Sequence, residues 1–379
     1  MTPPSKKIML VVGEASGDIH GAHLVRALGK RDPSLRFFGV GGEQLSQTNF
    51  EVLFNVSQLA GMGLVELCGR LGNIWRAYRM LCRTMRERRP DLLVLIDFPE
   101  FNLRLAKVAK ELGIPVLYYI SPQIWAWRRG RVRQIARRVD RMAVVFPFEV
   151  PFYETRGVRV SFVGHPLLDI VHVEDSREVT LARLALDAGK RTVAILPGSR
   201  PDEVSRHLPV LLDAARQLRR DADVQFLMIR ASTVDRQDLE SGLKGFPLRI
   251  PIVEDRRYDA VSACDLAWTA SGTVTLETAL LLKPMIIIYR LSWLTYALAR
   301  WLVKIKHVGI VNIVAGEGVV PELIQSAFTA ARVVRESRLI MDNQELRDGI
   351  VKKLIALREK LGTPGAADRV ATIALSMID

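Results

Sequence analysis

Residues 11–24 read VVGEASGDIHGAHL, and this stretch decides the fold. The apolar run IMLVV, residues 8–12, reaches Gly13 and stops among small and polar residues. Ala22, Leu24, Val25 and Leu28 then recur at helical spacing. A strand that breaks at glycine and restarts as a helix is the opening turn of an α/β domain with a parallel sheet. A dinucleotide-binding turn needs G-x-G-x-x-G, yet the glycines here are Gly13, Gly17 and Gly21. Glu14, Ser16 and Asp18 stand where a pyrophosphate turn would carry no acid. The loop is therefore expected to hold something other than a dinucleotide.

The alternation continues outward from this turn. RFFGV, LLVLI, PVLYYI, RMAVVF and VSFVG read as strands between helical runs, one of them a long helix through 71–88. After GHPLLDIVHVEDSRE the composition turns polar, and the alternation restarts with TVAIL, VQFLMI, LRIPIV, LAWTA and MIIIY. From residue 327 onward only helices are expected. A chain of 379 residues exceeds the roughly 250–300 at which a single core stops growing. The break near 165–190 predicts two Rossmann-like domains, 1–170 and 171–379, facing one another across a cleft. The terminal helices then return to the first domain or reach a partner, which leaves a homodimer open.

Bulk properties narrow the function. The hydrophobic fraction of 49% and charged fraction of 25% are those of a globular protein. Cys68, Cys82 and Cys264 have no metal or redox spacing and read as small buried residues in a reducing compartment. No secretory signal is evident, and no apolar run reaches the roughly 18 residues of a spanning helix. A cytoplasmic chain that does not cross a membrane is expected. The net charge of +13 favours a polyanion: nucleic acid, anionic lipid or a phosphorylated substrate.

Several motifs carry chemistry. ILPGSR, 195–200, ends a strand in a Gly-Ser turn whose amides and Arg200 suit a phosphate, although a plain turn with a surface arginine has the same pattern. TASGTVTLE, 269–277, sets Ser271, Gly272 and Thr273 at a helix N-terminus with Glu277 one turn in, within reach of a ribose diol. Simple capping by Thr273 is the competing reading. LIDFPEFNLRLA, 95–106, delivers Asp97 at the end of an aliphatic strand, as a general base or as a helix cap. YYISPQIWAWRRGRVRQIARR, 118–138, mixes Trp125 and Trp127 with arginines, which suits stacking, a sugar platform or a solvated basic helix. In RLGNIWRAYRMLCRTMRERR, 70–89, Arg76, Arg79, Arg83 and Arg86 flank an apolar face, next to the apolar loop Leu59–Leu67. That combination fits a membrane surface or an ordinary half-buried helix. Residues 293–309 form a second amphipathic stretch.

Taken in order, these segments resemble the lipid-A-disaccharide synthases, inverting glycosyltransferases of the GT-B architecture. The resemblance rests on GEASGD, FFGVGG, MGLVE, PDLLVLIDFPEFN, YISPQIWAW, FPFE, FVGHPLLD, LPGSR with Glu203, ASGTVTLE, and NIVAG followed by VPEL. It implies transfer from UDP-2,3-diacylglucosamine to 2,3-diacylglucosamine 1-phosphate (lipid X), with a β-1′,6 linkage formed and UDP released. It implies no cofactor and no metal. It implies Asp97 as the base for the acceptor hydroxyl, and Arg200, Ser271, Gly272, Thr273, Glu277 and Asn312 on the donor. Glu14, Ser16, Asp18, Gln123 and Trp125 would meet the acceptor. Arg76, Arg79, Arg83 and Arg86 would meet the cytoplasmic face of the inner membrane. Glu100 stands where relatives often carry Asp and is not taken as the base. Two rivals remain: another GT-B enzyme acting on a UDP-amino sugar, of peptidoglycan-transferase or 2-epimerase type, and a non-catalytic basic binding protein. The first leaves SPQIWAWR and IDFPEFN without a task. The second leaves two phosphate-type turns and Asp97 unused, so nucleic acid is not the expected partner.

Overall fold

A computed structural model of the chain describes residues 5–60, 67–122, 124, 129–291 and 307–378. They divide into two compact units, Met1–Pro166 with Leu361–Asp379, and Leu167–Lys360.

The first unit is built on a seven-stranded sheet. Its strands are β1 (Lys7–Val12), β2 (Arg36–Gly41), β3 (Phe50–Asn55), β4 (Leu92–Ile96), β5 (Val116–Tyr119), β6 (Arg141–Val144) and β7 (Val160–Phe162). They lie in the order β3-β2-β1-β4-β5-β6-β7, with every pairing parallel. Ile8 to Val12 and Leu92 to Ile96 are fully buried, as expected of central strands covered on both faces by helices. The helix Ala15–Arg31 follows β1, and Leu67–Arg88 and Pro99–Glu111 flank β4. The last helix, Ala366–Leu375, packs on Ala15–Arg31, where the Arg31 guanidinium donates to Thr372 Oγ1 at 2.6 Å.

The second unit carries six strands: β8 (Arg191–Leu196), β9 (Val224–Ile229), β10 (Ile252–Val253), β11 (Leu266–Ala270), β12 (Met285–Tyr289) and β13 (Glu322–Ile324). Their order is β10-β9-β8-β11-β12-β13, again all parallel. The helix Pro201–Asp221 follows β8, and Thr273–Leu280 follows β11.

Both sheets reverse direction of winding beside their first strand, β1 against β4 and β8 against β11. In open α/β sheets ligands collect outside the carboxyl ends of strands at such a switch point. The register sharpens this. Val12 pairs with Ile96, so Gly13 and Asp97 leave the first sheet side by side. Thr269 pairs with Leu196, so the Pro-Gly-Ser-Arg turn and the Ser-Gly-Thr turn leave the second sheet side by side.

Two strands differ from the sequence-based expectation. FEVLFN forms β3 at a sheet edge, where Glu51 and Asn55 stay exposed and dilute the apolar signal. β13 is three residues long, too short to stand out beside Pro321. Cys82 and Cys264 are buried free thiols, as expected. Among the described residues no helix is long and apolar enough to cross a membrane.

Candidate active site

At the switch point of the first sheet, Asp97 and Phe98 both adopt left-handed backbone, with φ of 53° and 48°. This conformation is uncommon for residues other than glycine. Pro99 then opens the helix Pro99–Glu111. Asn102, one turn into that helix, donates its side-chain amide to the Asp97 carbonyl at 2.7 Å and to the Ile96 carbonyl at 3.2 Å. Tyr118 on β5 donates its hydroxyl to the same Asp97 carbonyl at 2.5 Å. The half-buried Asp97 carboxyl is pushed up to about 7, chiefly by burial and further by the negative charge of Glu14.

The β1 loop lies against this turn. A Cβ on Gly13 would sit 2.2 Å from the Phe98 Cβ, so only glycine permits the approach. Glu14 and Ser16 are exposed. Asp18 is buried, and its carboxylate accepts from the backbone N–H of Gly42 (2.6 Å), Gln44 (2.8 Å) and Leu45 (3.3 Å). Its acceptors are thus spent on the β2 turn of the protein itself. Glu100 pairs with Arg131 at 2.6 Å. Gln123 and Trp125 lie outside the described residues, as do residues 61–66 of the apolar loop and the stretch 293–306.

Arg76, Arg79, Arg83 and Arg86 are all exposed on the Leu67–Arg88 helix, whose opposite face buries Ala77, Leu81, Cys82 and Met85. Trp75 on the same helix is 58% exposed. A row of rings runs inward from it: Trp75 on Tyr78 (5.8 Å), Tyr78 on Phe101 (6.2 Å) and Phe101 on Phe98 (5.3 Å), the last beside Asp97.

At the switch point of the second sheet, Leu196, Ile229 and Ala270 end β8, β9 and β11 and line a pocket of about 200 Å³. Ser199, Ser271, Gly272, Thr273 and Glu277 line it too, which brings the two phosphate-type turns of the sequence to one cavity. Gly198 has φ of 141°, and a Cβ there would meet the Glu203 Cβ at 2.8 Å. Glu203 in turn accepts from Ser199 N–H at 3.1 Å. Arg200 occupies the N-cap position of the Pro201–Asp221 helix without a side-chain cap bond, and its half-exposed side chain pairs only loosely with Glu203, at 3.7 Å.

Glu277 carries an opposed pair of influences. Burial raises its carboxyl above the usual range, and the Arg257 guanidinium, 3.2 Å away, pulls it back down. Arg257 also donates to Tyr258 Oη at 2.7 Å, and its guanidinium stacks 4.8 Å from that ring. Arg257 and Tyr258 are the residues that sequence reasoning missed, because RRYD reads as an exposed charged turn. His207 is another. Its Nδ1 bonds the Pro197 carbonyl at 2.7 Å and its Nε2 accepts from Arg290 N–H at 3.0 Å, so a neutral imidazole braces the Pro-Gly-Ser turn. Burial lowers its pKa, consistent with that form.

Asn312 is buried away from the pocket lining. Its amide donates to Val320 O and Glu322 Oε1, and its oxygen accepts from Val319 and Val320 N–H. Glu322 also accepts from Val308 and Gly309 N–H at 2.9 and 3.0 Å. Asn312 therefore braces the turn that leads into β13, through the backbone of Val319 and Val320.

Comparison with known proteins bears on this arrangement. A family model described as lipid-A-disaccharide synthetase matches residues 8–372. A lipid-A-disaccharide synthase from Geobacter metallireducens is 49% identical over 378 residues, covering 100% of this chain and 98% of that one. One from Nitrosococcus oceani is 46% identical, covering 98% and 96%. Among solved structures, Acinetobacter baumannii MurG shares the fold with a TM-score of 0.62 at 16% identity, covering 98% of this chain and 99% of that chain. A UDP-GlcNAc 2-epimerase from Neisseria meningitidis, bound to UDP-GlcNAc, has a TM-score of 0.63 at 11% identity, covering 98% and 99%. At such identities the two structures speak for the GT-B-type fold alone. The full-length relatives speak for more: the chain belongs to the lipid-A-disaccharide synthase family.

Proposed function

We propose that the chain transfers the sugar of UDP-2,3-diacylglucosamine to the 6-hydroxyl of lipid X, giving the β-1′,6-linked disaccharide 1-phosphate and UDP. The observation that carries this is membership of the family over nearly the whole chain, with 49% identity to a named synthase. Another UDP-amino-sugar enzyme is not favoured, because the proteins of that kind share only the fold at 11–16% identity.

The chemistry follows from the two switch points. Asp97 accepts the proton of the acceptor 6-hydroxyl as its oxygen bonds to C1 of the donor sugar. The bond from C1 to the diphosphate oxygen breaks, and its electrons leave with UDP. A base with a pKa of about 7 takes up a proton efficiently near neutral pH. Glu14 and Ser16 present exposed polar groups beside it for acceptor hydroxyls. Arg200, with its side chain half exposed, and the amides of the Thr273–Leu280 helix N-terminus suit the diphosphate. Glu277 suits the ribose diol. In this reading the sugar nucleotide is a substrate and no cofactor or metal takes part.

Both substrates carry acyl chains, so the enzyme works at the cytoplasmic face of the inner membrane. The exposed arginines of the Leu67–Arg88 helix and the row of rings from Trp75 to Phe98 support that placement. The test is UDP release from UDP-2,3-diacylglucosamine with and without lipid X, with the disaccharide detected by mass. Release that depends on lipid X supports the reading. Equal release without it, or release with a peptidoglycan-type acceptor instead, overturns it.

A further inference from the structure

The turn that carries Asp97 is costly in three ways that stability alone does not reward. Two successive residues, neither of them glycine, hold left-handed backbone, a conformation strained for any side chain with a Cβ. Asn102 is a poor helix former, yet it sits completely buried inside the Pro99–Glu111 helix. Its Oδ1 is buried without a hydrogen-bond partner among the described residues, a group that an apolar side chain would dispense with. What this arrangement secures is one atom. Asn102 Nδ2 and Tyr118 Oη, both on fully buried residues from different elements, converge on the Asp97 carbonyl at 2.7 and 2.5 Å.

We infer that Asn102 and Tyr118 are positioning residues for the transfer: by holding the main-chain carbonyl of Asp97 they lock the left-handed Asp97–Phe98 turn and fix where the Asp97 carboxylate stands. The inference rests on the proposed role of Asp97 as the base. Two donors from a helix and a strand restrain the carbonyl in two directions, so the peptide plane cannot rotate without losing both bonds. A carbonyl so held fixes ψ of Asp97 and the exit direction of its side chain. Losing either donor lets the turn relax toward ordinary backbone and swings the carboxylate into water. Misplacement on the scale of 1 Å costs roughly 100-fold in rate.

Tyr118→Phe removes one donor and keeps the buried ring. Asn102→Leu removes the other at similar volume. In the full-length protein on detergent-dispersed substrates, each is expected to lower kcat by about 10–100-fold with KM for both substrates near wild type. Each should also move the acid limb of the kcat profile to lower pH, because a carboxylate released into water loses part of the burial that raises its pKa. Asp97→Asn is measured alongside. If Asp97→Asn abolishes turnover while Tyr118→Phe keeps wild-type kcat and an unmoved acid limb, the positioning role is overturned and the base survives. If Asp97→Asn keeps turnover, both fall. A lower melting temperature with an unmoved acid limb would assign the two side chains to stability only and also overturn the inference.

Discussion

Arg257 and Glu277 form an ion pair at 3.2 Å, and both line the pocket at the second switch point. Arg257→Ala leaves the Glu277 carboxyl without the charge that holds its pKa down, so burial alone then pushes it toward the neutral acid. If Glu277 holds the ribose, Arg257→Ala weakens uridine and UDP binding alike. Arg200→Ala should instead weaken UDP more than uridine, since charged hydrogen bonds to the phosphates are worth about 1.5–3 kcal/mol each. Calorimetric titration of the two ligands separates these outcomes. Equal losses for Arg200→Ala would move that guanidinium off the diphosphate.

Gly13→Ala is expected to be far from silent. Its methyl group would meet the Phe98 Cβ at 2.2 Å, a backbone-anchored atom that cannot swing aside. Overpacking of this kind costs typically about 1–3 kcal/mol. Both the melting temperature and turnover should fall. Gly72→Ala, inside the exposed part of the Leu67–Arg88 helix and with nothing among the described residues within 4 Å of the added carbon, serves as the control and should hold or raise the melting temperature, since alanine favours a helix over glycine.

Asp97 links stability to pH with a definite sign. Its folded pKa is raised to about 7 from the ordinary carboxylate value of 3.8, so the folded state binds the proton more tightly than the unfolded one. That contribution is fully present below about pH 4 and is lost as pH rises through about 7. Asp97→Asn, neutral throughout, should therefore melt higher than wild type at pH 8, with the difference shrinking toward pH 4. A pH-independent difference would mean that the carboxyl is not desolvated.

How much of this was legible in the sequence differs between the strand ends and the braces behind them. Asp97 was legible because five aliphatic residues of β4 point to it. Ser271 to Glu277 were legible because a buried strand, a glycine and a helix follow in nine residues. The pairing of Val12 with Ile96, which joins Gly13 to Asp97, was not, because β2 and β3 intervene in the chain and only the winding of the sheet sets β1 beside β4. The braces were not legible. Nothing in the string shows that Asn102 turns its amide back to Asp97, or that Arg257 meets a carboxylate twenty positions later. Asp18 and Asn312 show the converse. Both read as polar groups available to a ligand, and both spend hydrogen bonds on nearby backbone amides, a choice fixed by tertiary packing.

Membrane attachment is open to a salt titration. Arg76, Arg79, Arg83 and Arg86 are exposed, and each basic residue near an anionic surface contributes about 1 kcal/mol within roughly a Debye length. The protein should pellet with phosphatidylglycerol-containing vesicles at low salt and come off as salt rises. Replacing all four with Gln should abolish pelleting and spare turnover on detergent-dispersed substrate. Unchanged pelleting would make that helix a structural one.

The most direct test of the whole account is the turnover of Asp97→Asn. Amide replaces carboxylate with almost no change of shape, and loss of a general base costs about 10²–10⁴ in rate. UDP release from UDP-2,3-diacylglucosamine in the presence of lipid X should fall by that factor, while UDP still raises the melting temperature of the variant as it does for wild type. Turnover near wild type would contradict the assignment of Asp97 as the base.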